Sequence, residues 1–565
     1  MGIATLNHIA DVSVSDNMLR KQARAELDLL GSYPQDCKVC PKPVWFTAFF
    51  DGTGNNAQLD GLPSRSAKDT KYSNIAKLAQ FAHIENDSDP RTAFAYVEGV
   101  GTPCSKVGDS GNGVDNALGM AAARKGEDRI RWMLAQLKRF VDSHAPHVSQ
   151  VNLAVFGFSR GATQARGFVR MLKESLAVGP EDSHLFWQDY SYPNLPKLVV
   201  YFVGILDTVS STGYGGSRLE SALPSVILPG TPVGAVAGGV LSYIDKGGHA
   251  EWAKDLRIPG HVKRCVHYVA AHEVREKFPS DSVRLDRELP GNCIEEFYPG
   301  VHSDVGGGYA NNVQEGRTNE LSRVALNNLF IQAWRAGVPL KPPNEVLETA
   351  GSLFQISDDL QHHWNVYMGE CDAPSVQPII EGGDLQHEVV WHMNRYYQWR
   401  ASRRNRLRDG RLKPQPAVDQ YMQITDREWR DDLISVARSA TGLIRFSLNP
   451  QEEAMFDAYK GEWLRALPAD YRMSFDRFFD HYVHDSIAGF KQQMSDSHIG
   501  FVEMSRWARN RQYFVGKRED KFLYWRYEGW LPYSNEMKVA REDARNAKGP
   551  LPTNADATLP EVVTA

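Results

Sequence analysis

Gly157-Phe158-Ser159-Arg160-Gly161 reads Gly-x-Ser-x-Gly. The apolar run VNLAVF precedes it and a helix-forming segment follows from Ala162. Strand, motif and helix in that order are what a nucleophile elbow requires, with small glycines permitting a sharp turn that presents Ser159 at the carboxyl edge of a sheet. A serine hydroxyl is a weak nucleophile until a base and an orienting carboxylate stand beside it, and on this type of scaffold they follow in the order Ser, Asp/Glu, His. Asp207 in GILDTVSS and His302 in PGVHSDVGGGY satisfy that order. Asp304 and Asp245 are rivals for the acid, and His272 and His267 for the base. An oxyanion hole needs converging backbone N–H groups: one is expected from Arg160, others from Gly52 and Thr53 in the turn Phe50-Asp51-Gly52-Thr53-Gly54. That turn lacks the lysine and serine of a phosphate-binding loop and does not fit the dinucleotide fingerprint. Cys37 and Cys40 form a single Cys-x-x-Cys with no second pair, so no metal site is expected. Serine ester chemistry calls for no cofactor.

The elements that must position these groups follow from the apolar pattern. VWFTAFFDGTGNN (44–56), VSQVNLAVFGFSRG (148–161) and KLVVYFVGILDTV (197–209) read as buried strands, with weaker strands at 265–274 and 293–309. Helical spacing appears at 127–144, 163–176 and 321–337. Strands alternating with helices give an α/β fold with a mainly parallel sheet covered on both faces. The expected organisation is an N-terminal polar arm (1–43) with a short helix around Leu19–Leu30, a catalytic region at 44–340 with an apolar insert at about 212–262, a mostly helical region at 341–545, and a loose tail at 546–565.

Composition sets outer bounds. The chain has 565 residues and a formal net charge of −5, so its balance gives no reason to expect nucleic acid as a partner. Hydrophobic residues at 42% and charged residues at 24% exclude wholesale disorder. Six cysteines are too few for a disulfide-framework protein. The first twenty residues lack both a basic start and an apolar run, so no signal peptide is expected.

Four of these motifs in one order, FFDGTGNN, VFGFSRGA, the GILDTVSS strand end and PGVHSDVGGGY, together with the helix at 321–337, resemble the catalytic domain of type VI secretion phospholipase effectors, the first class of type VI lipase effectors. The resemblance covers roughly residues 44–340. It implies an α/β-hydrolase fold, a Ser159–Asp207–His302 triad and release of fatty acid from bacterial membrane glycerophospholipids, and it leaves cleavage at the A1 or A2 position open. It further implies synthesis in the bacterial cytoplasm, delivery on a VgrG-type spike protein to the periplasm of a target cell, and a cognate immunity protein. An esterase of the cytoplasm acting on soluble esters would use the same triad.

Two further stretches carry expectations. SALPSVILPGTPVGAVAGGVLSYI (221–244) has no charged residue, yet its prolines and glycines would break a spanning helix. It reads as a lid or membrane-facing flap offering Ile227, Leu228, Val233, Val240 and Leu241. QWRASRRNRLRDGRLKP (398–414) carries six Arg and one Lys beside Tyr396, Tyr397 and Trp399, which suggests either a solvated helix face or contact with anionic head groups.

Overall fold

The computed structural model describes residues 4–30, 41–61, 71–83, 91–111, 119–179, 185–188, 194–209, 251–253, 255–275, 278–285, 288–371, 385–423, 425–426, 469–488, 511, 513–516 and 523–524. The flap candidate at 221–244, Asp245, Cys37, Cys40 and the tail all lie outside the described residues.

An N-terminal helix α1 (Val14–Leu30) precedes strand β1 (Lys42–Phe50), helices α2 (Ala57–Asp60) and α3 (Asn74–Gln80), strand β2 (Thr92–Val97) and helix α4 (Gly119–Asp142). Strand β3 (Val148–Phe158) then leads into helix α5 (Arg160–Ser175), followed by short strands β4 (Ala177–Val178) and β5 (Leu185–Trp187) and the long β6 (Lys197–Leu206). Beyond the undescribed insert come β7 (Cys265–Ala270), β8 (Ser280–Leu285), β9 (Cys293–Tyr298), and helices α6 (His302–Gly306) and α7 (Leu321–Arg335). Helices α8 (Pro343–Ala350), α9 (Asp358–Cys371), α10 (Leu385–Arg408) and α11 (Ala469–His481) precede two small strands, β10 (Tyr513–Gly516) and β11 (Leu523–Tyr524).

β2, β1, β3, β6, β7 and β9 lie side by side in that order, all parallel. β5 pairs antiparallel with the start of β6, and β4 extends that edge. β1 shows why the sheet is covered twice. Val44, Phe46, Ala48 and Phe50 enter one apolar cluster with Ile130, Leu137 and Phe168 of α4 and α5, while Trp45 and Phe49 enter the other with Leu326, Leu329 and Phe330 of α7. Alternate side chains on a strand point to opposite faces, so a run apolar at every position belongs between two helical layers. The expected strands at 44–56, 148–161 and 197–209 are β1, β3 and β6 with their carboxyl-end turns; the fifth ends at Tyr298, and the Gly-rich stretch beyond it is loop and α6. β2, TAFAYV, was not anticipated, being short and only partly buried.

The N-terminal arm is more ordered than its polarity suggests. Ser13 and Asp16 cap α1 reciprocally, with Ser13 N–H donating to Asp16 Oδ2 (2.7 Å) and Asp16 N–H to Ser13 Oγ (3.1 Å), which starts the helix at Val14. Arg20 then lies over the Trp334 ring at 3.8 Å and Arg24 over Trp45 at 3.7 Å, so the cationic face of α1 docks through cation–π contacts.

The apolar cluster on the α7 face does not stop at residue 341. It continues through Trp364, Tyr367, Trp391, Tyr396, Trp399, Phe478 and Phe479 to Tyr513. This corrects the lipid-facing reading of 398–414. Tyr396, Tyr397 and Trp399 are buried. Arg400 pairs with Asp426 and Asp485, Arg403 with Asp419 and Asp480, and Arg406 with Asp476 and Asp480. Arg404, Arg408 and Arg411 are exposed, the last two beside the local Asp409, so the cationic run divides into an internal ion-pair network at Arg400, Arg403 and Arg406 and a solvated end.

Candidate active site

β3 runs into α5 through a single residue, Ser159, with φ +58° and ψ −126°. A non-glycine residue there costs on the order of 1–3 kcal/mol and persists only where its surroundings over-determine it. They do so here. Ser159 N–H donates to Leu206 O (3.0 Å), and Ser159 O accepts from Val209 N–H (3.2 Å), locking the turn to the end of β6. The flanking glycines are steric necessities: a Cβ on Gly157 would lie 2.4 Å from Gly161 O, and one on Gly161 would lie 2.3 Å from Phe50 O. Ser159 is 2% exposed.

Asp207 is the first residue beyond β6, fully buried, with φ +42°. His302 opens α6, and its Nδ1–H donates to Asp207 Oδ2 at 2.5 Å. The imidazole sits between Phe158, the neighbour of Ser159, at 4.6 Å between ring centroids and Phe278 at 5.1 Å. Its backbone N–H donates to Glu273 Oε2 (3.2 Å). The structure therefore gathers the end of β3, the end of β6 and the start of α6 into one place.

Of the rivals, the described ones, Asp304, His267 and His272, are engaged elsewhere. Asp304 caps α6 by accepting from Val301 N–H (3.0 Å) and holds His484 Nδ1–H at 2.6 Å. His267 accepts from Thr208 N–H on Nε2 (3.2 Å) and donates from Nδ1 to Glu295 (2.9 Å). His272 accepts from Gly300 N–H (2.8 Å) and bonds Tyr367 Oη (3.1 Å). Each buttresses the loops that carry Asp207 and His302.

In the turn after β1, Thr53 Oγ1 accepts from Arg160 Nη1 (2.9 Å), bringing the turn against the elbow. Gly52 N–H already donates to its neighbour Asp51 Oδ1 (2.7 Å), so of the amides expected to receive an oxyanion, this one is committed. Asp51 also accepts from Tyr96 Oη (2.5 Å), and burial pushes its carboxyl up to about 6.

Two groups that sequence reasoning missed complete the surroundings. Arg511 spans both Asp207 oxygens, Nη1 to Oδ1 at 2.7 Å and Nη2 to Oδ2 at 2.9 Å. Glu273 is paired with Arg275 through two bonds (2.9 and 2.8 Å). Burial alone would raise the Asp207 carboxyl, but the Arg511 charge and the His302 bond hold it well below the usual carboxylate range. For His302, burial lowers the imidazole below its ordinary value, and the Asp207 bond only partly opposes this. Glu273 carries a motif-free signal, and Arg511 stands in a sequence context with no chemical signature, so neither was legible. The arrangement sets a strained serine turn beside a hydrogen-bonded imidazole–carboxylate pair, groups of the kind that can perform acyl transfer.

A parallel sheet with helices on both faces, and a strand–serine–helix elbow at its carboxyl edge, define an α/β-hydrolase fold. The family model described as T6SS phospholipase effector Tle1-like, catalytic domain, matches residues 46–192 and 180–332. The chain belongs to this type VI secretion phospholipase effector family and is a lipase-type ester hydrolase. Among solved structures, it is similar to an uncharacterized protein from Pseudomonas aeruginosa at 18% identity and a TM-score of 0.57, covering 91% of this chain and 84% of that one. The Tle1 effector bound to the VgrG spike of the type 6 secretion system aligns at 18% identity and a TM-score of 0.37, over 60% of this chain and 83% of that one. No curated protein matches the sequence.

Proposed function

We propose that the protein is an antibacterial phospholipase of the A type, cutting an acyl ester of membrane glycerophospholipids at the A1 or A2 position through Ser159, Asp207 and His302. The observation that carries this reading is the 2.5 Å bond from His302 Nδ1 to Asp207, made beside a strained serine elbow. With Nδ1–H donated to Asp207, Nε2 carries the lone pair that takes the Ser159 proton as Oγ attacks the ester carbonyl. The charge developing on the carbonyl oxygen is received by backbone N–H groups of Arg160, in the first turn of α5 where the helix dipole favours an anion, and of Thr53. His302 then protonates the departing lysophospholipid oxygen. Water deprotonated by the same imidazole releases the fatty acid. Membership of a type VI secretion effector family supports production in the cytoplasm and delivery to a target; the periplasm as the compartment reached, a VgrG-type spike as carrier and an immunity protein protecting the producer are part of the proposal.

The test is chromatographic. A phospholipid carrying different chains at its two positions is incubated with wild type and with Ser159→Ala. Wild type should release one chain and leave its lysophospholipid, and Ser159→Ala should release neither. Faster turnover of a short soluble ester than of vesicles would instead favour an esterase.

A further inference from the structure

The candidate acid is bracketed by two nitrogen donors of different origin. On one side stands His302, which any triad supplies. On the other stands Arg511, 304 residues from Asp207 in sequence and 3% exposed. Its fork reaches both carboxylate oxygens, its Nε donates to Phe278 O (2.6 Å), and Nη1 also donates to Ala270 O (3.2 Å), at the end of β7. Every one of these acceptors belongs to the wall of the site. Phe278 packs on the His302 ring, and Ala270 N–H donates to Asp207 Oδ1 (3.0 Å).

The route by which Arg511 arrives is also built. β10, starting two residues later at Tyr513, pairs in parallel with β8, Tyr513 opposite Ser280 and Phe514 opposite Asp281. β8 is in turn tied to the acid loop, because Asp281 N–H donates to Thr208 O (3.0 Å). The short sheet of β8, β10 and β11 therefore fixes where Arg511 stands relative to Asp207. A two-pronged guanidinium on a carboxylate fixes the plane as well as the place of that carboxylate, which a single point charge does not.

We propose that Arg511 is a positioning residue for the triad: it locks the Asp207 carboxylate in the orientation that receives His302, so the region beyond the catalytic domain completes the active site. This rests on the triad reading given above. The consequence for His302 is electrostatic as well as geometric. The charged groups facing the Asp207–His302 pair are Arg511 from the β10 segment, and Glu273 and Arg275 from the loop after β7. The Asp304–His484 pair and Tyr513 stand behind them. Arg511 and Arg275 both disfavour an imidazolium, and Asp207 favours it. Removing Arg511 takes away one of the two cations, so His302 should hold its proton to higher pH.

The experiment uses the full chain with Arg511→Met, Arg511→Lys and Ser159→Ala, assayed on phospholipid vesicles across pH. In Arg511→Met, kcat should fall about a hundred-fold, as a misplacement near 1 Å produces, with KM nearly unchanged. The acid limb of kcat/KM should move to higher pH. Arg511→Lys should return the limb toward wild type, because the charge is restored, while kcat recovers only in part, because one ammonium does not span both oxygens. Wild-type kcat and an unmoved limb in either folded variant overturn the proposal. So does a loss that follows the folded fraction alone, the remaining folded protein having wild-type kcat and limb. Should Arg511→Met not fold, Arg511→Lys decides by the same criteria. Activity retained by Ser159→Ala would instead overturn the triad reading itself, whatever the Arg511 variants show.

Discussion

The two sides of the site are built on opposite principles. The serine side is local: Gly157 through Gly161 supply the turn, its strain and its close approach to Phe50, and five adjacent residues carry nearly the whole device. The carboxylate side is assembled from afar. Asp207 receives His302 from 95 residues away and Arg511 from 304, and Asp304, next door to His302, is held by His484 from 180. A turn made of neighbours survives as a sequence motif because its parts cannot be separated. A pocket made of distant parts leaves no such trace, and its integrity depends on the whole chain being folded.

The largest effects should fall on the side where one atom does the work. Ser159→Ala should reduce turnover by about four orders of magnitude or more while circular dichroism stays that of wild type. Near-normal activity would dissolve the contrast, since the elbow would then be mere architecture. Asp207→Asn should cost a comparable factor, about ten-thousand-fold, by offering His302 the wrong hydrogen-bonding partner. Unlike the serine change it should also destabilise the fold, by about 3–5 kcal/mol in urea unfolding, because Arg511 is left as a buried charge without its counter-ion.

Asp304→Asn sharpens the comparison from the other direction. It should weaken the His484 bond and the α6 cap, costing about 1–3 kcal/mol of stability with only a few-fold loss of activity. A variant that is stable but as inactive as Asp207→Asn would reverse the choice of acid. Gly161→Ala tests the local side sterically. A Cβ 2.3 Å from Phe50 O must push β1 and the elbow apart, with about 1–3 kcal/mol lost and activity falling with it.

The smallest effect belongs to pH. His302 must be neutral to accept the serine proton, and burial lowers it below the ordinary imidazole value. The acid limb of kcat/KM in the wild type should therefore lie below about 6.5. A limb at or above that value would mean the imidazole is wetter than the packed rings of Phe158 and Phe278 imply.

These contrasts also explain what could be read without a structure. β1, β3 and β6 were legible because each is apolar at nearly every position, and the Asp207 strand end was legible because it closes such a run. His302 could be chosen from chain order and a Gly-rich loop. The committed amide of Gly52 was not visible, since Asp51 turning back on its own neighbour is a matter of side-chain rotamer. Nor was the fate of Arg400, Arg403 and Arg406, whose partners Asp419, Asp480 and Asp485 come from other segments. Periodicity records what an element buries, and says nothing of which distant charge will meet it.

The position of Arg511 in the chain has a bearing on time. A ribosome that has just added His302 must add 209 more residues (511 − 302) before the guanidinium that grips Asp207 exists. At about 5–20 residues per second, that is an interval of about 10–40 s. Throughout it the nascent chain already holds its serine, its acid and its histidine, and lacks the ion pair that braces them. For a lipase-type ester hydrolase, the chain thus carries its candidate catalytic groups early and the residue proposed to brace them late.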